Sequence, residues 1–445
     1  MPRNIEPLLG LLASILVILI AVANSIAIGY ALIVVWSIMA YVFYRKGYAL
    51  KELLNLSWTG AKTSIVVMQI FLLIGWLIAM WQAAGVIPMI IATGIDLIDP
   101  SIFIVCAFLI TAIVSMLLGT ALGTVGTIGI VLITMARAGS IPENIVAGAI
   151  IAGAYLGDRN GPLSSSASLV AALTHTKVST NIPIMFKDSI PALIISTVLY
   201  LLLSQWYPLN YENSLLSDTI HFIFNIDWTL WIPVIIVIGL LPLKVSIRWP
   251  IGLSALAAAI LAYTNQDASL SELGWYTLTG FELPHYNPLA NIIHGGGLQT
   301  MFIPTLSIFM ATAISGMLEG VGFWNDIRQL LERAKTRSDV FAANVGLAFL
   351  TGAVGCSQAI AVVMTHSIMR ITYAQRGIQD EDVMLDFENS GILIAPLQPW
   401  NIAAYVPIVI MGTSSTGYVP FAFFLYLVPL IYWLRLRKQD QPIIR

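Results

Sequence analysis

The sequence contains few charged residues. Lys, Arg, Asp and Glu together make up 10% of its 445 residues, whereas about 25% is usual in soluble domains. Hydrophobic residues make up 58%, and the mean hydropathy is +0.86. This composition is typical of helical proteins that cross the membrane many times. The first partner that the sequence predicts is therefore the lipid bilayer.

Other absences narrow the function. Only two cysteines are present, Cys106 and Cys356, both inside apolar runs, so the sequence offers neither a disulfide framework nor a cysteine metal site. The net charge of −2 argues against nucleic acid as a partner. The motifs His-Glu-x-x-His and Gly-x-Ser-x-Gly are missing, and so is a phosphate-binding loop with its Lys-Ser/Thr. We therefore expect neither an enzyme nor a cofactor, and any active transport must use ion gradients.

Apolar runs close to the length of a membrane-spanning helix, about 20 residues, recur along the whole chain. They predict an all-α membrane protein with 12 to 14 transmembrane segments. The number stays open because residues 101–136 and 339–371 are each long enough for two short spans or one re-entrant hairpin. The candidate spans are 8–23, 25–44, 63–82, 101–118, 120–136, 144–172, 188–206, 228–243, 248–263, 299–318, 339–351, 353–371, 384–411 and 416–434.

The Lys and Arg residues orient these spans. The loops at 83–100, 207–227 and 264–297 contain neither residue, so the positive-inside rule places them outside the cell and both termini in the cytoplasm. Arg137 alone falls on the outer side. The residues that mark cytoplasmic loops and the tail are Arg45, Lys46, Lys51, Lys62, Lys177, Lys187, Lys244, Arg248, Arg328, Arg333, Lys335, Arg337, Arg435, Arg437 and Lys438.

Weak internal similarity divides this single membrane domain into two repeats, residues 1–210 and 211–445. Residues 117–132 align without gaps to 349–364, at an offset of 232, and shorter matches follow in the same order at nearly the same offset. The outer loop at 83–100 corresponds to a cytoplasmic loop near 319–336. The repeats are therefore predicted to have opposite topology, as in many secondary transporters.

A polar segment interrupts the apolar run at 144–172. It reads Gly-Asp-Arg-Asn-Gly-Pro-Leu-Ser-Ser-Ser over residues 157–166. Helix-breaking residues at membrane depth occur where the freed backbone groups line a cavity or pack against protein, and such broken helices bind ions and substrates in transporters. We call residues 157–166 the first break.

Asp158 is the leading candidate for a cation or proton site, since a charge at the bilayer centre costs at least about 2.5–3.5 kcal/mol. The hydroxyls of Ser164, Ser165, Ser166 and Ser168 would add neutral oxygen ligands that suit a hard cation such as Na⁺. The alternative interpretation is a salt bridge between Asp158 and the adjacent Arg159 near the membrane interface.

A second break lies at residues 387–401. Pro396 and Pro399 leave backbone carbonyls free, and Gln398 and Asn401 add amide oxygens. Glu388 is either the second ionisable group of the site or a residue near the cytoplasmic surface, and both interpretations stay open. If the two breaks form one site, Asp158 or Ser164 should lie within roughly 10 Å of residues 399–401.

Several motifs resemble the NhaC family of sodium/proton antiporters. They are Gly-Thr-Val-Gly-Thr-Ile-Gly at 123–129, Gly-Asp at 157–158, Pro-Leu-Ser at 162–164, Glu-x-Ser-Gly at 388–391 and Pro-Leu-x-Pro-Trp-Asn at 396–401. The resemblance covers residues 60 to 430. It implies a carrier in the prokaryotic inner membrane that exchanges Na⁺ for H⁺ near the midplane, with Asp158, Ser164 and Glu388 as Na⁺ ligands. The wider set of implied ion- or substrate-binding residues adds Thr124, Arg159, Ser165, Ser166, Asn389, Gln398 and Asn401.

Both breaks depart from the family pattern, at Arg159, Gly161, Ser165, Ser166, Ala167 and Ser168 in the first and at Asn389 in the second. Where the family carries acidic residues, this chain has Ser165 and Asn389. The alternative function is therefore an H⁺- or Na⁺-coupled transporter of a small organic anion or amino acid, in which Arg159 would suit the carboxylate of the substrate. The sequence also allows a homodimer.

Overall fold

The computed structural model describes residues 5–24, 26–62, 64–97, 99–162, 164–209, 215–240, 248–284, 287, 290, 293–323 and 336–439. This part of the chain is predominantly helical, as the sequence predicts. A π-helical segment, Val125–Gly129, joins two of the helices, and a two-residue hairpin pairs β1 (Phe281–Glu282) with β2 (His294–Gly295). The helices are α1 (Ile5–Ala23), α2 (Ile28–Arg45), α3 (Leu50–Lys62), α4 (Ile65–Ala83), α5 (Val86–Leu97), α6 (Phe103–Leu118), α7 (Ala121–Thr124), α8 (Ile130–Ala138), α9 (Glu143–Asn160), α10 (Ser165–Leu173), α11 (Val178–Trp206), α12 (Leu215–Ile223), α13 (Trp231–Leu240), α14 (Arg248–Asn265), α15 (Leu270–Thr279), α16 (Phe302–Gly320), α17 (Arg337–Gly355), α18 (Gln358–Gln375), α19 (Asp380–Glu388), α20 (Gly391–Ile394), α21 (Ile402–Met411) and α22 (Phe423–Gln439).

Six helical stretches in the described residues are long and apolar enough to cross a membrane, and two bent pairs raise the number to eight. One pair, 68–83 with 86–94, is bent by 69°, and the other, 380–397 with 402–411, is bent by 45° at the second break. Apolar stretches at 9–18 and 228–237 are shorter than a span. This number is smaller than 12 to 14 because several apolar runs fold as short or broken helices. The six stretches are Ile28–Arg45, Pro100–Leu118, Ala121–Ala138, Val178–Trp206, Gln299–Gly320 and Arg337–Gly355.

Helix α9 lies at the centre of the bundle, since every residue from 145 to 160 is buried. It packs along α6 at very short range. A Cβ atom on Gly157 would come within 2.5 Å of the Met116 backbone nitrogen, and the hydroxyl of Ser115 donates to the carbonyl of Ala154 at 2.6 Å. Small residues allow this close approach of two backbones. The helix that carries Asp158 is therefore held rigidly against α6.

Tight turns divide the two regions for which the sequence allows either two short spans or one re-entrant hairpin. Residues 100–138 form two helical stretches that meet at Gly119, and α17 meets α18 at Cys356. Both turn residues are left-handed, with φ of 68° and 49° respectively. Each donates its backbone N–H to the carbonyl four residues earlier, as expected at a helix C-terminus. Each region is thus a pair of helices joined by a two-residue turn.

Helix boundaries recur at a constant offset along the chain. Helices α4 and α16 begin and end 237 positions apart, and so do residues 121–138 and helix α18. The turn residues Gly119 and Cys356 have the same separation. The sequence alignment at an offset of 232 instead pairs Gly119 with Thr351, which lies inside α17.

The basic residues Lys244, Arg328, Arg333 and Lys335, which mark two predicted cytoplasmic loops, lie outside the described residues. Arg337 lies at the start of α17, where both terminal nitrogens bind the Asp386 carboxylate at 2.9 and 2.7 Å.

Candidate functional site

Asp158 lies in the last turn of α9 and is 3% exposed. The chain breaks after residue 160 and re-enters a helix at Ser165. This return brings two hydroxyls onto the carboxylate: Ser166 donates at 2.7 Å and Ser164 at 3.3 Å. The Ser164 hydroxyl also caps α10 by accepting from the Ala167 N–H. Arg159 makes no salt bridge to Asp158, so the salt-bridge interpretation of this pair is wrong.

Asp158 lines a cavity of about 390 Å³, which we call the central cavity. The starts of four helices line it as well: Thr120 and Ala121 of α7, Ser165 and Ser166 of α10, Ser357 and Gln358 of α18, and Ile402 and Ala403 of α21. Helix N-termini carry partial positive charge and favour anions within about one turn. The central cavity is thus electrostatically suited to an ionised carboxylate.

Both breaks contribute to this cavity. Asp158, Ser165 and Ser166 belong to the first break, while Ile402 and Ala403 directly follow the second. Tyr155, one turn before Asp158, donates its hydroxyl to the Ala403 carbonyl at 2.6 Å. The structure therefore brings the first break and the end of the second to one cavity.

Arg159 points away from Asp158 and is fully buried. Its guanidinium donates to the Asn389 side-chain oxygen at 2.6 Å, to the Met185 carbonyl at 3.0 Å and to the Asp188 carboxylate at 3.4 Å. A further bond reaches the neighbouring Asn160 at 2.9 Å. Arg159 is thus bonded by groups of the chain itself and not by a substrate carboxylate, the partner that the sequence suggests. Its side chain does not line the central cavity.

Asn389 joins Arg159 to Asp188. Its oxygen accepts from Arg159, and its amide nitrogen donates to the Asp188 carboxylate at 2.8 Å. Arg435 of α22 also binds Asp188. One network therefore ties the first break, the second break, α11 and α22. Its Asp188 carboxylate faces two guanidinium groups, of which Arg159 is buried and Arg435 is partly exposed.

Glu388 is fully buried at the end of α19. Neither carboxyl oxygen has a hydrogen-bond partner among the described residues, although Arg159 and Asp158 are near enough to act on it electrostatically. Of the two interpretations, the structure supports a buried ionisable group at the break over a surface residue.

The remaining predicted site residues bind the chain itself. Gln398 donates to the Phe349 carbonyl at 2.7 Å, and Asn401 donates to the Gly352 carbonyl at 2.9 Å, so both tie the second break to the end of α17. Thr124 bonds the Thr120 carbonyl at 2.8 Å, and Ser168 bonds the Ser164 carbonyl at 2.7 Å. Ser165 lines the cavity and is exposed.

Three residues near the site were not predicted from the sequence. Asp188 directly follows Lys187, and this lysine predicts a cytoplasmic loop. Both residues instead lie well inside the 29-residue helix α11. Gln358 and Tyr155 occur in apolar helices where single polar residues are common.

Comparison with known proteins identifies the family. A family model described as the Na⁺/H⁺ antiporter family matches residues 153–434, which is more than half of the chain and includes both breaks. The chain belongs to this family. The resemblance to NhaC is thereby confirmed.

Three antiporters are similar to the chain, two of them at 30% identity and the third at 25%. The malate-2H⁺/Na⁺-lactate antiporter of Bacillus subtilis is 30% identical over 416 residues, covering 91% of this chain and 88% of the relative. The Na⁺/H⁺ antiporter NhaC of the same organism is 30% identical over 393 residues, covering 84% of each. The arginine/ornithine antiporter ArcD of Halobacterium salinarum is 25% identical over 408 residues, covering 87% of this chain and 82% of the relative.

The two neutral positions at which the resemblance implies acidic residues have different surroundings. Asn389 sits between Arg159 and Asp188, so a carboxylate from α11 already neutralises the guanidinium. Ser165 lines the central cavity close to Asp158 in sequence and leaves Asp158 as the acidic residue of the first break. The two departures therefore change charge at two distinct places.

Proposed function

We propose that this chain exchanges Na⁺ for H⁺ across the prokaryotic inner membrane, with Asp158 as the group that binds the two ions in turn. The observation that carries the proposal is one buried carboxylate, bonded by two hydroxyls, in a cavity where both breaks meet. A carboxylate that can bind either a proton or Na⁺, but not both, couples their movements in opposite directions.

The surroundings of Asp158 suit this exchange. Burial makes an ionised carboxylate costly, and the hydroxyls of Ser164 and Ser166 together with the helix starts at the cavity offset that cost. Both hydroxyls have lone pairs available to a cation when they rotate. Na⁺ would therefore meet one charged and two neutral oxygens, while a proton would need the carboxylate alone.

Glu388 is the second carboxyl group of the proposed mechanism. A buried carboxyl without hydrogen-bond donors is stabilised by binding a proton or a cation, and neither Glu388 oxygen has a partner in the described chain. We assign it a role as an additional proton or Na⁺ site, coupled electrostatically to Asp158.

The two halves would move as inverted-topology repeats, with both termini in the cytoplasm. The constant offset of 237 between helix boundaries supports the repeat. The helix caps support it as well, since Ser164 before α10 and Asn401 before α21 are separated by the same offset, and both side chains accept a backbone N–H. Such repeats alternate the access of a central site between the two sides of the membrane.

A second candidate function is the coupled transport of a small organic anion. The four helix starts around the central cavity would stabilise the carboxylate of a bound substrate as well as that of Asp158. One similar protein is named a malate-2H⁺/Na⁺-lactate antiporter, and transport of such acids in exchange for Na⁺ would use the same carboxylate.

Proteoliposomes distinguish the two functions. Purified protein is reconstituted with an internal pH-sensitive dye, and a Na⁺ gradient is imposed without any organic acid. Na⁺/H⁺ exchange predicts a pH change under these conditions. A pH change that requires malate or lactate on one side would support the anion carrier instead.

A further inference from the structure

A second and larger cavity of about 860 Å³ lies on the other side of the bundle core from the central cavity, and we call it the vestibule. Its rim is polar and exposed, with Ser140, His294 and Thr300. Its wall contains Gln82, Arg137 and Glu143. The predicted topology places the loops at this rim outside the cell.

The vestibule and the central cavity share no lining residue. Residues 121–138 and α21 each run from one to the other: Ala121 and Ile402 line the central cavity, whereas Arg137 and Gly412 line the vestibule. The vestibule ends on the buried side chains of Ile78, Ile130, Ile133 and Ile410. A ligand in the vestibule would thus be separated from Asp158 by an apolar layer.

Arg137 offers unused donors to this space. One terminal nitrogen, Nη2, makes its bonds to the Glu143 carboxylate at 2.9 Å and to the carbonyls of Met411 and Gly412 at 2.5 and 3.0 Å. Within the described residues, its Nη1 and Nε atoms have no protein acceptor, and the side chain lines the cavity. An oxygen of an anion could therefore accept a charge-assisted hydrogen bond from one of these nitrogens.

Two acceptors face the same space. The side-chain oxygen of Gln82 is buried and has no partner among the described residues, while its amide nitrogen is fixed by the His294 carbonyl at 2.9 Å. Glu143 binds Arg137 through Oε2, and its other oxygen has no bond within the described chain. An unpaired buried acceptor is costly unless a ligand or water donates to it.

We propose that the vestibule is a binding site for a small carboxylic acid that carries a hydrogen-bond donor on the carbon next to its carboxylate, either a 2-hydroxy acid or a 2-amino acid. One carboxylate oxygen accepts from Nη1 of Arg137, and the hydroxyl or ammonium group donates to Gln82 Oε1. An ammonium group also pairs with the free oxygen of Glu143. This site goes beyond the proposed ion exchange, since it does not involve Asp158.

The test measures binding of L-lactate, L-alanine and propionate to the purified protein in nanodiscs by isothermal titration calorimetry. Propionate has the carboxylate but lacks the neighbouring donor. We expect L-lactate or L-alanine to bind about two- to tenfold more tightly than propionate, the range of one neutral hydrogen bond. Tighter binding of L-lactate than of L-alanine indicates that the site takes a hydroxy acid. Tighter binding of L-alanine, together with a loss of its affinity in Glu143→Gln, indicates an amino acid.

Gln82→Met keeps the side-chain length and removes the acceptor, so it should abolish the preference over propionate while propionate affinity stays within about twofold. Thr134→Val is the matched control, because this cavity-lining hydroxyl is bonded to its own helix at the Ile130 carbonyl. Asp158→Asn should leave binding of the preferred acid unchanged.

Three results would overturn the proposal: equal affinity for all three acids, loss of propionate binding together with the preferred acid in Gln82→Met, or loss of binding in Asp158→Asn. Ion exchange is measured separately in proteoliposomes. If the protein shows no Na⁺/H⁺ exchange but still binds the acid, the result contradicts only the proposed function.

Discussion

Ser166 donates a 2.7 Å hydrogen bond to the carboxylate of Asp158 from across the first break. The carboxylate ends one helix and the hydroxyl begins the next, so the bond exists only because the chain leaves the helix after residue 160 and returns at 165. The break thereby creates a polar group of four oxygens, two from Asp158 and one each from Ser164 and Ser166, inside an otherwise apolar bundle. This geometry makes the role of each hydroxyl testable.

Ser166→Ala should weaken Na⁺ binding without unfolding the protein. The substitution removes one neutral oxygen next to Asp158, and the loss of one such contact corresponds to about two- to tenfold in affinity. The Na⁺ concentration for half-maximal exchange in proteoliposomes measures it. Ser168→Ala is the control, since Ser168 is exposed and bonds only a backbone carbonyl. Equal effects of the two substitutions would contradict a ligand role for Ser166.

Asn389→Asp should destabilise the protein, although an acid at this position is the family pattern. The new carboxylate would lie where an amide now donates to Asp188 at 2.8 Å, so two like charges would meet in a buried site. We expect a loss of about 1–3 kcal/mol, the range for a hydrogen bond lost at a buried polar group, because Arg159 and Arg435 partly neutralise the added charge. The midpoint of thermal unfolding in detergent measures it.

The exchanged pair Asp188→Asn with Asn389→Asp provides the control for that prediction. It restores one carboxylate and one amide between Arg159 and Arg435, so most of the stability should return. A double variant that is less stable than Asn389→Asp alone would show that the charge balance of this network does not determine the stability of the protein.

Much of the site could be predicted from the sequence because its breaks combine proline, glycine and polar residues in apolar runs. Asp158 and its serines were found in this way. The partner of Arg159 could not be predicted, since Asp188 reaches it through packing of α9 against α11 and Asn389 reaches it from 230 residues away. The helix ends could not be predicted from glycine matches, because glycine recurs throughout membrane helices, whereas α6 and α17 end at the turns of Gly119 and Cys356.

Gly157→Ala should destabilise the contact of α9 with α6. A Cβ atom there would lie 2.6 Å from the Ser115 carbonyl carbon, and backbone atoms cannot move aside easily. Overpacking of this kind costs about 1–3 kcal/mol. Gly346→Ala is the matched control, because its Cβ would meet no atom within 4 Å and alanine favours the helix. Thermal unfolding should therefore shift down for Gly157→Ala and stay level or rise for Gly346→Ala.

Cysteine labelling tests the orientation of the repeats. Ser271→Cys in α15 and Gln379→Cys before α19 place exposed thiols on loops predicted outside and inside the cell, in a background carrying Cys106→Ala and Cys356→Gly. Glycine suits position 356, where φ is 49°. A membrane-impermeant maleimide added to intact cells should label Ser271→Cys alone. Labelling of both thiols would contradict the predicted topology and with it the inverted repeats.

The most direct measurement is Na⁺-driven pH change in proteoliposomes containing Asp158→Asn. The substitution keeps the shape and polarity of the side chain but removes its charge, and thermal unfolding serves to establish that the fold is retained. Ser164 and Ser166 can still bond the new side chain, so stability should change little. We predict that exchange is lost at every Na⁺ concentration, whereas Asp158→Glu retains part of it. Full exchange by a folded Asp158→Asn variant would contradict the account and transfer the coupling role to Glu388.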